Sequence, residues 1–231
     1  MKNAFARLLA LAVVVVAFGS VRSGHAQIVS GFDDITFWVG TGTNQAGLII
    51  DFHDGQTRQS FAWGYRWNGT ASGADMLLAV VAADSELSIT SFGFRASGFY
   101  LTEISYLEGM NLHSEASGSF ATFPTDYNSW GYYIVGGTAL GSSVSGGGVT
   151  LPTTWTVSPS GASADSFGSP GRILDNHSWD GWSFGQNNPS YEHLASPSST
   201  VFAAVPEPRL LPALALALAI LVYARKRIYA S

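Results

Sequence analysis

The chain has 231 residues, an aromatic content of 13% with seven tryptophans, no cysteine and a formal net charge of −5. The lack of cysteine excludes disulfides, thiol nucleophiles, Cys-ligated zinc and iron–sulfur clusters, so the fold has to be held by core packing. Residues 27–204 carry fifteen acidic side chains against four arginines (Arg58, Arg66, Arg95 and Arg172) and no lysine, which leaves no basic patch for phosphates and argues against nucleic-acid and anionic-lipid partners.

The chain opens with Lys2 and Arg7 followed by an uncharged apolar stretch over residues 8–19. About a dozen such residues are too few to span a hydrocarbon core of ~30 Å, and the layout is that of a secretory leader. Gly24-His25-Ala26 supplies the small residues of a cleavage site. The expectation is a signal helix within 1–26, handled by the secretion machinery and signal peptidase, with cleavage between Ala26 and Gln27.

Residues 27–186 read as one domain, mainly β with some α. Strands are predicted over 35–39, 46–52 and 60–67, where β-branched and aromatic residues are separated by turn chemistry. The second and third form a hairpin across Asp54-Gly55. Ser72-Gly73-Ala74-Asp75 is a capping box with Asp in place of Glu, and the apolar run of residues 76–83 predicts one buried helix over about 72–84. Further strands are predicted over 88–94, 100–107 and 130–135, with strand character also at 112–117. The glycines and serines of 136–148 predict a long surface loop. Short strands resume over 155–184, and the Pro, Ser and Ala of 187–204 read as a stalk. The expected architecture is an antiparallel sandwich or a β-grasp-like fold.

At the far end, Val205-Pro206-Glu207-Pro208-Arg209 precedes an uncharged span over 210–224 and the basic cluster Arg225-Lys226-Arg227. Fifteen helical residues reach only ~22 Å, which suits a transient anchor. The basic cluster is the positive-inside signal and sets 27–204 on the outer side of the membrane. These three parts in fixed order resemble the PEP-CTERM sorting signal of Gram-negative bacteria that make an extracellular polymeric matrix, over about residues 205–228. The resemblance implies Val205, Pro206, Glu207 and Pro208 as the sorting motif, recognition by exosortase, a membrane-embedded cysteine protease, and processing near Pro206-Glu207-Pro208. Leu151-Pro152-Thr153-Thr154-Trp155 lacks the glycine of a sortase signal and lies far upstream. The terminal basic residues also separate the tail from a GPI signal.

Two further resemblances concern the domain. The Asp75-Met76-Leu77 helix, the aromatic hairpin and Trp130-Gly131-Tyr132-Tyr133 resemble, over about residues 60–140, the β-grasp modules of cobalamin carriers and bacterial surface proteins. The stretches Phe37-Trp38-Val39-Gly40, Trp63-Gly64-Tyr65-Arg66-Trp67 and Trp179-Asp180-Gly181-Trp182 resemble uncharacterised domains of other PEP-CTERM proteins. Neither resemblance implies a ligand residue or an activity.

Candidate chemistry is sparse. Asp51, His53 and Asp54 are the residues that would begin a metal site, but the rest of a ligand set is not visible and no metal or cofactor is expected. His113 with Glu115 is the best acid–base pair among His53, His113, His177 and His193, and no hydrolase, P-loop or dinucleotide motif accompanies it. Trp179, Asp180 and Trp182 near His177 have the composition of a carbohydrate-stacking surface, against the alternative that the tryptophans are core. The sequence therefore predicts a non-enzymatic surface or matrix protein, structural, adhesive or carbohydrate-binding, with extracellular polysaccharide and the membrane as its surroundings. The alternative is a secreted hydrolase whose carboxylate and histidine site only the fold assembles.

Overall fold

The computed structural model describes residues 27–92, 100–118, 128–158, 165–166, 169–186 and 195–206, which belong to a body running Ala26–Pro206. A short 3-10 turn, Phe32–Asp34, is held by the Asp34 carboxylate, which accepts from the Ser30 amide at 2.8 Å and from the Gln27 side chain at 2.9 Å. Strands β1 (Trp38–Gly40), β2 (Asn44–Asp51) and β3 (Ser60–Trp67) follow. The expected hairpin forms between β2 and β3, with Asn44 opposite Trp67 and Asp51 opposite Ser60. Its connection is a loop over 52–59 rather than a tight two-residue turn.

The capping box closes as its residues predict. Ser72 accepts from the Asp75 amide, Asp75 accepts from the Ser72 amide, and helix α1 (Gly73–Ala83) begins there. The helix buries Met76, Leu77 and Val80 and leaves Leu78 and Val81 half-buried, so it is covered on one face rather than all round. Asp84 ends it, and that buried carboxylate accepts from the Trp63 indole at 2.8 Å. Burial raises the Asp84 pKa, and the bonds from Trp63 and the Glu86 amide offset part of that rise.

Strands β4 (Leu87–Phe92), β5 (Tyr100–Glu108) and β6 (Asn111–Ala116) make an antiparallel three-stranded sheet with a register shift at Thr90 and Ser91. Beyond it come β7 (Asn128–Val135), the small hairpin β8 (Thr138–Ala139) and β9 (Ser142–Ser143), then β10 (Thr156–Val157), β11 (Asp165–Ser166) and β12 (Ser169–Pro170). Strand β13 (Ser178–Gln186) and the terminal β14 (Phe202–Ala203) complete the set. The large sheet has the order β1-β3-β2-β13-β7-β10, with β14 also on β3.

That sheet is mixed, which corrects the antiparallel expectation. β13 lies parallel to β2 and antiparallel to β7, and both β1 and β14 lie parallel to β3. A hairpin forces antiparallel pairing, whereas β13 returns after a long excursion and is free to insert in either direction. Both faces of the sheet are covered. Leu48, Ile50, Phe61, Trp63, Trp130, Tyr132, Trp182 and Phe184 face α1 and the smaller sheet. Ile49, Ala62, Val135 and Trp179 face the chain ends, with Val29, Phe32, Ile35, Val201 and Ala203 packed over them. Two-sided cover explains why β2 and β7 are buried almost without alternation.

The stretch expected as a stalk is a second correction, since its described end is part of the body. The Ser198 amide donates to Asp51 at 2.6 Å, Phe202 pairs with Phe61, and Val201 and Ala204 have no exposed surface. The Ala203 amide donates to the Gln27 carbonyl at 2.8 Å, so the two ends of the body lie side by side. Hydrophobic burial and paired backbone groups outweigh the Pro/Ser composition here.

A charged cluster sits inside the large sheet. Arg172 donates from Nε and Nη2 to Asp180 Oδ1 at 2.9 and 2.6 Å and from Nη1 to the Gly136 carbonyl, while the Tyr132 hydroxyl donates to Asp180 Oδ2. Neither Arg172 nor Asp180 has exposed surface. Burial works against the Arg172 charge, but Asp180 and Tyr132 outweigh it and hold its pKa above the ordinary value. A Cβ at Gly73 would strike the Tyr132 hydroxyl and the Asp180 carboxylate, so the first turn of α1 packs directly on the cluster.

Two outcomes follow from these contacts. The Arg172→Met variant strands a buried carboxylate and is expected to lose about 3–5 kcal/mol, read as a lower urea midpoint at unchanged slope. A loss below about 1 kcal/mol, the worth of an exposed pair, would contradict the buried role. Burial also pushes the Tyr133 pKa up to about 12 and raises that of Tyr132 well above the ordinary tyrosine value, where the Asp180 charge is the second cause. Because these folded-state values exceed the unfolded tyrosine value, the stabilisation is whole below about pH 10. For Tyr133 it is lost as pH rises through about 12, so its tyrosinate absorbance should appear near pH 12, and a rise in the folded protein near the ordinary value of about 10 would contradict this.

Candidate functional site

The loop over 52–59 and the β5–β6 hairpin come together although they are some fifty residues apart in sequence. At the end of β2 the Asp51 carboxylate is fully buried and accepts from the His53 amide at 3.3 Å as well as from Ser198. His53 takes a left-handed backbone conformation with φ of 47°, an unusual state for a non-glycine residue that the surrounding bonds must hold. Its Nε2 lies 3.3 Å from Asp51 Oδ2 and 3.4 Å from the Ser196 carbonyl. Gly55, at φ of 77°, then turns the chain where a side chain would be strained.

Asp54 points the other way. Its Oδ2 lies 2.7 Å from His113 Nδ1 on β6, and its Oδ1 accepts from the Gln56 amide at 3.1 Å. The His113 ring is fully buried, between Phe52 and Phe61 with centroids 5.3 and 4.9 Å away. Its Nε2 has no hydrogen-bond partner and stands 4.0 Å from Glu108 Oε2, which has none either. The other Glu108 oxygen accepts from Arg58 Nη1 at 2.9 Å. Burial raises the Glu108 pKa, and Arg58, His113 and Asn111 offset part of that rise.

Arg58 and Glu108 belong to a cleft of about 540 Å³ lined by Gly55, Gln56, Thr57, Arg58, Glu108 and Asn111. The Gln56 side chain donates to the Leu112 carbonyl at 3.1 Å, so three links (Asp54 to His113, Gln56 to Leu112, Arg58 to Glu108) tie the loop to the hairpin. The lining is mainly polar. It can exchange hydrogen bonds with a small ligand.

The expected site residues distribute differently. The His113 imidazole takes Asp54 as its carboxylate partner rather than Glu115, which sits two residues along the same strand. Burial raises the Glu115 pKa, with the Asp54 charge as second cause. Asp51 and His53 adjoin one another, but Asp54 leaves them for His113, and among the described residues no group of three His, Asp or Glu is placed to hold a metal. The carbohydrate-stacking reading of residues 177–182 is corrected: Trp179 and Asp180 have no exposed surface and Trp182 is only 3% exposed. Trp179 packs with Phe32 on one face of the sheet, Trp182 stacks on Tyr132 on the other, and His177 lies against Phe32.

At the tail, Val205 is half-buried and Pro206 exposed at the edge of the body. Gln27 begins the described chain. The signal helix, Ala26, Glu207, Pro208, the span 210–224, Arg225, Lys226, Arg227 and His193 lie outside the described residues. Among the described residues no helix is long and apolar enough to cross a membrane.

Gln56, Thr57, Arg58, Glu108 and Asn111 were not singled out by the sequence. The nearest signal was the turn Glu108-Gly109-Met110-Asn111, which has hairpin chemistry. Comparison with protein-family models, with curated proteins and with solved structures gives no match.

Because Asp51 and Asp54 are already served by protein donors, a chelator is expected to leave the melting temperature unchanged. A fall of several degrees with EDTA, restored by Ca²⁺ or Zn²⁺, would contradict this.

Proposed function

We propose that this chain is an exported surface or matrix protein of a Gram-negative bacterium, delivered by the leader in 1–26 and sorted by exosortase through the tail in 205–228. Its body serves as a structural, adhesive or ligand-binding domain, without catalysis or cofactor. The tail itself, Val205-Pro206-Glu207-Pro208 before a short apolar span and a basic cluster, motivates the sorting half of this reading.

The geometry that supports it is the meeting of the two ends of the body. Ile28 bridges Phe202, and the Ala203 amide bonds the Gln27 carbonyl. A leader and a tail attached there are each removable without cutting a strand, and the motif begins where burial stops, after Ala204. For the architecture we favour the sandwich over the β-grasp, because two sheets face one another across a shared core in which Phe61 and Trp63 meet Tyr106.

The hydrolase reading has one observation in its favour, the carboxylate that orients His113. The same ring is sealed between two phenylalanines with its free nitrogen turned to Glu108, which suits a structural tie better than a base.

The test uses the combined Pro206→Ala, Glu207→Ala and Pro208→Ala variant, expressed in a host that has an exosortase. A full-length, membrane-bound precursor absent from the medium and the outer surface is expected. Unchanged processing would reduce the tail to an ordinary anchor and overturn the assignment.

A further inference from the structure

We propose that the cleft between the 52–59 loop and the β5–β6 hairpin is a binding site for a neutral, polyhydroxylated ligand, a segment of uncharged polysaccharide. This deepens the surface-protein reading and rests on it only for where such a polymer would be met. Gln56, Thr57, Arg58, Glu108 and Asn111 present amide, hydroxyl, guanidinium and carboxylate groups, with Gly55 as backbone and no apolar side chain. An apolar ligand would leave those groups unpaired, at a cost that burial of its own surface does not recover.

Charge narrows the class further. Arg58, the cation of the cleft, is already paired with Glu108 at 2.9 Å. The residues of 27–204 are strongly acidic, with fifteen carboxylates against four arginines. An anionic polymer would meet repulsion from the body and a guanidinium that is spoken for. A divalent cation would need ligands that the described residues do not assemble. A neutral polyol meets neither obstacle, because each hydroxyl both donates and accepts and so matches mixed amide, guanidinium and carboxylate partners.

Four features suit that ligand. The cleft volume of about 540 Å³ lies within the range of small-ligand sites, ~300–1,000 Å³. The cross-links from Asp54, Gln56 and Arg58 to the hairpin fix the lining before a ligand arrives, which lowers the ordering cost of binding. Glu108 Oε2 and His113 Nε2 stand 4.0 Å apart without partners behind the lining. A ligand hydroxyl that donates to Glu108 satisfies the carboxylate oxygen left without a partner. Beside the cleft, Met110 is 98% and Leu112 60% exposed, and they offer apolar contact for the C–H faces of sugar rings.

The full chain in detergent is tested by electrophoresis through native gels containing a neutral β-glucan, xylan or mannan, with alginate as the anionic control. Retardation by at least one neutral polymer and none by alginate is expected. The exposed-residue variant Thr57→Ala with Asn111→Ala, which leaves the three cross-links in place, should weaken the retardation constant about tenfold or more. Glu108→Gln should do the same. Retardation unchanged in the Thr57/Asn111 variant would place binding elsewhere and overturn this site while leaving the surface-protein reading intact. No retardation by any neutral polymer, or a preference for alginate, would overturn the ligand class. The sorting reading stands or falls separately, on processing of the tail.

Discussion

Strand β3 sets the constraint that the rest of the body answers. β2 covers one of its edges along the full eight-residue register, and the other edge has to be paired by chain from elsewhere. An unpaired edge with Trp63 at its centre would present backbone donors and acceptors and aromatic surface together, the combination that invites aggregation. Two short strands close it. β1 pairs with Gly64, Tyr65 and Arg66, and β14 pairs with Phe61 and Ala62, both in parallel. The body thus uses segments near its two ends to finish its largest sheet, and the Gln27 carbonyl accepts from the Ala203 amide there.

Closing the sheet on both faces leaves little room for polar side chains inside, and three buried carboxylates there are matched by protein donors. Arg172 and Asp180 neutralise one another and anchor Tyr132, the Gly136 carbonyl and the start of α1. Asp84 does the same for Trp63 at the end of α1, and Asp51 for the segment at Ser198. Each of these carboxylates costs desolvation, and each ties together pieces far apart in sequence, which is the specificity role proposed for buried polar groups. The Asp54 to His113 link belongs to the same class but lies nearer the surface, and its neighbours Arg58 and Glu108 keep enough exposure to meet a ligand.

Local chemistry was legible in the sequence where it decides structure alone. The Ser72-to-Asp75 capping box placed the start of α1, and the aromatic run Phe61-Ala62-Trp63-Gly64-Tyr65 placed β3, because capping and β-propensity act over a few residues. Pairing partners were not legible, since periodicity says that β13 is a strand but not that it inserts between β2 and β7. Trp179 and Trp182 did carry a warning. Residues three apart on a strand point to opposite faces, so the two indoles could not form one stacking surface. The stalk reading failed on Val201-Phe202-Ala203-Ala204, an apolar run whose burial outweighs the serines and prolines before it. The cleft was hidden because Asp54 and His113 are fifty-nine residues apart and meet only when the two sheets pack.

The two ends of the body, at Gln27 and Ala203, meet at one edge of the large sheet. A disulfide placed across that edge examines this directly, and a chain with no cysteine of its own gives a clean background. Ile28 and Phe202 are bridge partners in antiparallel register, so Ile28→Cys with Phe202→Cys sets the two thiols within reach of each other. Mild oxidation should yield one intramolecular disulfide in the monomer, seen as faster migration on a non-reducing gel and a mass two hydrogens lighter. Free thiols that persist under oxidation, or cross-links only between chains, would contradict the account.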